Sequence, residues 1–446
     1  MHSYDQKTKS GFKLALRALR HRNYRLFFIG QGISLIGTWM QAIATGWLMF
    51  RLTHSEFMLG LLAFAGQIPT FLLSPFAGVL GDRTNRRRIL IVAQVASMLQ
   101  AFMLAGLTIS GVIQVWQILF LAFLLGVTNA FEMPSRQAFV IEMVDDKSDL
   151  GNAIALNSGL FNGSRFIGPA VAGIVVAVAG EGICFMLNGI SYFAAIIAFL
   201  LMRIPGREAG GPKARLLTEL KDGLLYSFGF RPIRDLIATV ALMSLVAMSF
   251  PVLLPIFASR ILHGGSYTYG FLVASTGAGA LAGVAFLAMR KNVLGLGRII
   301  STALIVFGLG LVAFSFSKSA ILSICILAPV GFGMIAAMAS CNTMVQTIVD
   351  EDKRGRVMSF YVMAFMGAAP LGSLLAGSVS SVIGAPYTVC IGGILCVLGG
   401  IVFYFRLPAL RRIIRPIYRK MGIIPEVAIG IQTADELRKP PEYSGN

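Results

Sequence analysis

Gly78-Val-Leu-Gly-Asp-Arg-Thr-Asn-Arg-Arg-Arg-Ile-Leu90 is a charged hairpin wedged between two long apolar runs. Four arginines, Arg83, Arg86, Arg87 and Arg88, cannot lie in hydrocarbon, and the bias of short cytoplasmic loops toward Lys and Arg puts this turn on the cytoplasmic face. Gly78 and Gly81 allow two helices to approach closely just before the turn. Asp82 sits among the arginines, where a carboxylate can pair with cations or accept from exposed amides at a helix start. Asn85 tolerates the left-handed backbone that a tight turn often needs.

Working outward, 56% of the chain is hydrophobic, only 13% is charged and the mean hydropathy is +0.77, which excludes an ordinary soluble domain. With about 20 apolar residues needed per crossing, the pattern predicts an all-α polytopic membrane protein. Twelve spans are expected near 24–50, 58–80, 88–110, 114–137, 151–178, 183–203, 234–259, 268–290, 297–317, 320–343, 357–380 and 386–406. The first is too long for a signal-peptide core and no small-residue cleavage site follows it, so it is expected to remain in the mature protein.

The net charge of +18 does not point to nucleic acid, because its distribution follows the spans. With the N-terminus inside, 34 of the 38 Lys and Arg fall on inward segments, three (Arg51, Arg260, Lys318) fall outside, and Arg165 lies within a span. That asymmetry predicts both termini in the cytoplasm of a bacterial-type inner membrane, with the basic residues meeting anionic lipid. The five cysteines form no C-x-x-C or Cys/His cluster, and the four histidines lie in the N-terminal segment and loops. No nucleophile elbow, phosphate-binding glycine loop or zinc helix is present, so neither enzyme chemistry, a cofactor nor a metal is indicated.

Near residue 205 the apolar pattern breaks into Arg-Ile-Pro-Gly-Arg-Glu-Ala-Gly-Gly-Pro-Lys-Ala-Arg, followed by an amphipathic segment over 216–228. This divides the chain into a cytoplasmic N-terminal segment (1–23), a six-helix half (24–203), a linker with an amphipathic helix (204–233), a second six-helix half (234–406) and a cytoplasmic basic tail (407–446). The halves are pseudo-symmetric. Gly126 and Asp145-Asp146 recur 205 residues later as Gly331 and Asp350-Glu351, and Gly78 maps to Gly283, while Leu287 stands at the place of Asp82. A parallel repeat of this kind suits a substrate path between halves.

The hairpin resembles the signature loop between spans 2 and 3 of the major facilitator superfamily, G-x-L-x-D-R-x-G-R-[RK], with Asn85 in place of the usual glycine. Further motifs are Gly37–Thr53 in span 1, Gln67-Ile68-Pro69 in span 2, Glu132–Val140 at the end of span 4, and Asn152–Ser158 with Asn162–Gly173 in span 5. Together they resemble the enterobactin-exporter-like branch, which includes siderophore and drug efflux proteins. The resemblance implies alternating access, and a small-molecule substrate and a proton as partners beside membrane lipid.

Arg165 is the single basic residue deep in a span. Insertion at mid-depth costs roughly 2.5–3.5 kcal/mol, so it must face protein or a wet cavity. Two readings stand: a cation that attracts an anionic substrate or tunes a proton carrier, or a structural tie to carbonyls or Glu132. Glu132 is a candidate proton carrier, but Arg136, four residues on, shares its helical face and favours a structural pair. Gln31, Gln41, Gln67, Asn129, Asn157 and Asn162, with Asn342 and Gln346, can line a cavity with Trp39 and Trp47, or join helices by hydrogen bonds. Gly159, Gly163, Gly168, Pro169 and Gly173 resemble a span 5 antiporter motif and are expected to form a gating seam. Asp82, with Glu142 facing Arg83 or Arg86 and Arg87 beside them, is expected to act as a latch where the halves meet.

The leading expectation is an exporter of a small amphipathic or anionic compound, a siderophore or drug, by proton antiport. Uptake of a small metabolite, movement of lysolipid between leaflets, and a sensor without transport are the alternatives.

Overall fold

The computed structural model describes residues 17–144, 146–203, 229–290 and 293–421. A short 3-10 turn (Arg17–Arg20) leads into α1 (Arg22–Thr53), α2 (Glu56–Arg83), α3 (Arg86–Ile109) and α4 (Val115–Phe139). The next helix, Leu150–Leu201, is broken at Gly180, whose φ of 81° and ψ of 170° are not helical. We label its two lengths α5 (150–179) and α6 (181–201). Then follow α7 (Arg231–Ala247), which resumes over Phe250–Ile256 and ends in a π-turn (Phe257–Ile261), α8 (Ser266–Ala288), α9 (Leu296–Ser315), α10 (Ala320–Ile348), α11 (Glu351–Ile383) and α12 (Ala385–Lys420).

Among the described residues, eleven helices are long and apolar enough to cross a membrane. The expected short loop between spans 5 and 6 is absent, and one glycine does its work. A straight helix of 52 residues would run about 78 Å, more than twice a hydrocarbon core. Gly180 reverses the chain instead, in a backbone region that a side chain would make costly. Many apolar side chains remain exposed, Val178, Val382 and Ile321 among them, as lipid-facing positions require.

Other local expectations need correction. Asn85 is extended (φ −64°, ψ 109°), not left-handed; its side chain accepts from the Arg88 amide and caps α3, a role for which Asn is among the best residues. Within the segment read as a basic tail, α12 continues through residues 407–420, and Leu407, Leu410, Ile414 and Tyr418 are buried at helical spacing. Asp235, at the start of α7, is buried and accepts from Arg406 at 3.0 Å. The amphipathic segment 216–228 lies outside the described residues.

Span 7 breaks at Met248 and Ser249 because Pro251 has no amide proton and its ring crowds the carbonyl one turn back; Ser249 Oγ donates to the Val246 carbonyl at 3.0 Å. The internal repeat is visible in packing. A Cβ at Gly126 would meet the Gly66 carbonyl on α2, and a Cβ at Gly331 would meet the Thr276 carbonyl on α8. The α4–α2 and α10–α8 contacts are thus the same close approach, made once before and once after residues 204–228.

The buried apolar core is forked. One cluster includes residues from both sequence halves, among them Leu48, Leu59, Phe185, Phe257, Leu272 and Phe314. Two further clusters each belong to one half: Tyr24, Phe27, Leu90, Phe139 and Phe199 in the first, and Ile233, Val345, Val357, Leu410 and Ile414 in the second. The shared cluster lies toward the end where α1 finishes and α8 begins. The separate ones lie at the face where residues 17 and 421 emerge, called the terminal face below.

Candidate functional site

The opposite face is closed by contacts across the halves. Glu56 opens α2 because Ser55 caps it, and Arg260 is carried on the π-turn after Pro255. Arg260 donates to Glu56 Oε1 at 2.8 Å and to the His54 carbonyl at 2.6 Å, with its guanidinium 5.9 Å from the Phe50 ring centroid. Trp47 of α1 stacks on Tyr269 of α8, centroids 6.2 Å apart. Below them α5 and α8 meet through glycine: a Cβ at Gly173 would sit 3.0 Å from the Ser266 carbonyl and 3.1 Å from Gly270 Cα, and one at Gly270 would sit 2.5 Å from the Pro169 carbonyl. Gly60 of α2 and Gly377 of α11 make the equivalent approach.

At mid-depth the closure ends at Arg165. Its guanidinium lies 5.6 Å from the Trp39 ring centroid, within cation–π range, and one nitrogen is 3.9 Å from Met334 Sδ on α10. No described carboxylate forms an ion pair with it. Glu132 instead pairs with Arg136 at 3.3 Å on its own helix, so Glu132 is not the tie of Arg165. Trp39 is itself braced edge-on by Phe161.

Beyond Arg165, toward the terminal face, the halves part. A Cβ at Gly159 or Gly163 would meet nothing within 4 Å. Among the described residues, the Asn162 side chain bonds back to the Ser158 carbonyl of its own helix at 2.9 Å. Asn157 is partly buried, and its Oδ1 has no hydrogen-bond partner among the described residues. Asn129 and Gln67 are partly exposed on α4 and α2, and on α10 Gln346 donates to Asn342 at 3.1 Å. The hydrogen bonds joining described residues of the two halves, from Arg260, Ser266 and Arg165, lie at the opposite face and at mid-depth.

The structure sorts the remaining candidates. Gln41 is fully engaged inside the first half, donating to Gln100 at 2.8 Å and accepting from Asn188 at 2.7 Å, while Gln100 donates to the Leu121 carbonyl. This network knits α1, α3, α4 and α6 and does not line the cleft. Gln31 is also buried, its Oε1 without a hydrogen-bond partner among the described residues. Gly168 faces α1, where a Cβ would collide with Trp39 Cβ and the Ile36 carbonyl, so it packs within its own half. Of the five seam residues, Pro169 and Gly173 touch the other half.

In the hairpin, Arg86 donates to Glu142 at 2.8 Å, and Arg87 donates to the carbonyls of Phe199 and Leu200 at the end of α6. Both are bonds within the first half. The side chains of Gly78, Asp82 and Arg83 lie outside the described residues. A cluster not anticipated is that of buried Asp149, which pairs with Arg17, with Arg20 at 2.8 Å and with His21 at 2.9 Å and pins the 3-10 turn to the start of α5. Arg260 with Glu56 was also missed; its only trace in the sequence is that both stand beside external loops poor in charge.

The family model described as transmembrane secretion effector matches residues 14–420. The chain is 28% identical to the staphyloferrin A transporter of Staphylococcus aureus over 384 residues, 85% of this chain and 95% of that one. It is 25% identical to the multidrug efflux pump Tap of Mycolicibacterium fortuitum, covering 84% and 93%, and 22% identical to macrolide efflux protein A of Streptococcus pyogenes, covering 86% and 96%. A cleft bounded by two repeated helix sets, closed at one end by glycine contacts, is a transport architecture rather than a catalytic one. The chain belongs to the transmembrane secretion effector family of major facilitator transporters.

Proposed function

We propose that this transporter exports a small amphipathic or anionic compound, of the siderophore or drug kind, by alternating access driven by proton antiport. In this reading twelve crossings form two six-helix halves in a bacterial-type inner membrane. Both termini are cytoplasmic, as the 34-to-3 split of basic residues supports. The terminal face is then the cytoplasmic one, and the conformation is the one that loads substrate from inside. The observation that carries the substrate class is Arg165: a cation at mid-depth, resting on Trp39, without a carboxylate partner among the described residues, at the inner limit of an open cleft. A guanidinium so placed attracts an anionic group while the indole holds a planar apolar one. The efflux named for two of the relatives supports the outward direction.

Purified protein in proteoliposomes, offered siderophores, macrolides and lysolipids with and without a pH gradient, tests each element. Gradient-dependent outward movement of a siderophore or drug is expected. Inward movement, transport of lysolipid alone, or indifference to the gradient each overturns the corresponding part. Glu132→Gln should uncouple flux from the gradient; unchanged coupling removes Glu132 from proton carriage.

A further inference from the structure

At the terminal face of the second half lies a cavity of about 340 Å³ that has no part in the cleft. One wall is the turn between α8 and α9, Val293 to Gly297, which turns through Gly295 at φ +85°. Met344 of α10 contributes to the lining. The other wall is the extension of α12, which brings Arg411, Arg412 and Arg415 beside Leu410 and Ile414.

The extension is rigidly seated. Leu407, Leu410, Ile414 and Tyr418 recur at helical spacing and are buried in the core of the second half, so the intervening arginines project from a fixed rail. At 36 residues α12 runs about 54 Å, well beyond a hydrocarbon core of about 30 Å, so these arginines stand at headgroup depth. Arg406, one turn earlier, is committed to Asp235. Arg411, Arg412 and Arg415 form no ion pair or hydrogen bond with any described residue, and no carboxylate lines the cavity.

We propose that this cavity binds one membrane phospholipid with an anionic headgroup, its phosphodiester held by Arg411, Arg412 and Arg415 and its glycerol and upper acyl chain lying on Val293 and Leu294. Guanidinium forks match phosphate oxygens in pairs. The apolar lining selects a lipid over a free anion, because inorganic phosphate would leave the Val293 and Leu294 surface wet. Its volume lies at the lower end of small-ligand sites, which suits a headgroup whose chains remain in the bilayer. Both walls belong to the second half, so the bound lipid travels with that half. The proposal is independent of which substrate the cleft carries.

The test uses the full chain, reconstituted in vesicles of phosphatidylcholine with or without phosphatidylglycerol, re-extracted, and analysed by native mass spectrometry for retained lipid. Wild type should retain one phosphatidylglycerol per chain, and millimolar inorganic phosphate should not displace it. Arg411→Gln with Arg415→Gln should lower retention about tenfold, while Arg22→Gln with Arg25→Gln, equal in charge change, should leave it unaltered. Leu294→Trp, which fills the cavity from its rim and keeps every charge, should lower it as well. Equal retention in the double variant, an equal loss in the control pair, retention undiminished by Leu294→Trp, or displacement by phosphate overturns the proposal. If the double variant unfolds, the Leu294→Trp result decides alone.

Discussion

The two ends of the α5–α8 seam obey opposite rules. Near the opposite face Gly173 and Gly270 bring backbones into direct contact, leaving no room for a methyl group, whereas Gly159 and Gly163, lower on the same helix, face open space. The same residue type therefore does different work along one helix. In the conformation seen, the upper glycines hold the halves together. In the alternating-access reading proposed above, the lower ones keep smooth a surface that becomes a contact when the cleft closes on the other side. Small residues on both ends of one helix are what a rocking pair of rigid halves requires.

The largest effect is expected from Gly173→Leu. Its neighbours are backbone atoms that cannot move aside, so the variant should lose nearly all flux and gain outward opening, read as spin-label distances across the opposite face. Gly163→Leu should leave that distance unchanged and instead prevent closure at the terminal face; identical behaviour of the two variants would abolish the distinction. Next comes Arg165→Gln, expected to weaken binding of an anionic substrate at least ~30-fold, with Arg165→Lys in between because it keeps charge but not the planar fork. If both bind normally yet melt earlier, the cation is structural.

A moderate effect belongs to Arg86→Gln, which removes a part-buried ion pair within one half. It should cost about 1 kcal/mol of thermal stability without shifting the balance between open states; a shift would mean that the hairpin senses the other half. Glu56→Gln breaks the cross-half pair at the rim. Because Arg260 is about half exposed, only about 0.5–1 kcal/mol is at stake, a two- to fivefold population change toward the outward-open form. The smallest effect concerns pH. The Ser148 backbone amide, then its hydroxyl, hold the exposed Asp146 carboxyl below the usual carboxylate range. Its lowered value means that its contribution is complete above the ordinary carboxylate pKa and is lost as pH falls through the lowered one. Asp146→Asn should flatten a slight acid-side loss of stability seen in wild-type melting curves.

What could be read from the chain alone was whatever depends on local chemistry and the bilayer: the helices, the hairpin, and the oddity of an arginine at mid-span. What could not be read depends on partners distant in sequence. Arg260 and Glu56 are 204 residues apart, and Gln41 reaches Gln100 and Asn188 on separate helices, so nothing near any of them indicates whether an amide joins helices or lines a cavity. Gly180 escaped notice because a chain reversal through one residue leaves no polar loop. The seating of 407–420 escaped because its arginines hid an apolar stripe at helical spacing.

The chain has three tryptophans, and their placement makes the molecule its own optical instrument. Trp116 is exposed at the lipid-facing start of α4 and contributes a steady background that Trp116→Phe would remove. The two that remain watch different events. Trp47 is stacked on Tyr269 of the other half, so on the proposed cycle its emission is expected to report separation of the halves on that side. Trp39 lies under the Arg165 guanidinium, so on the proposed reading its emission is expected to change when an anionic substrate binds. One fluorescence titration on single-tryptophan versions would thus separate occupancy from opening without any attached dye.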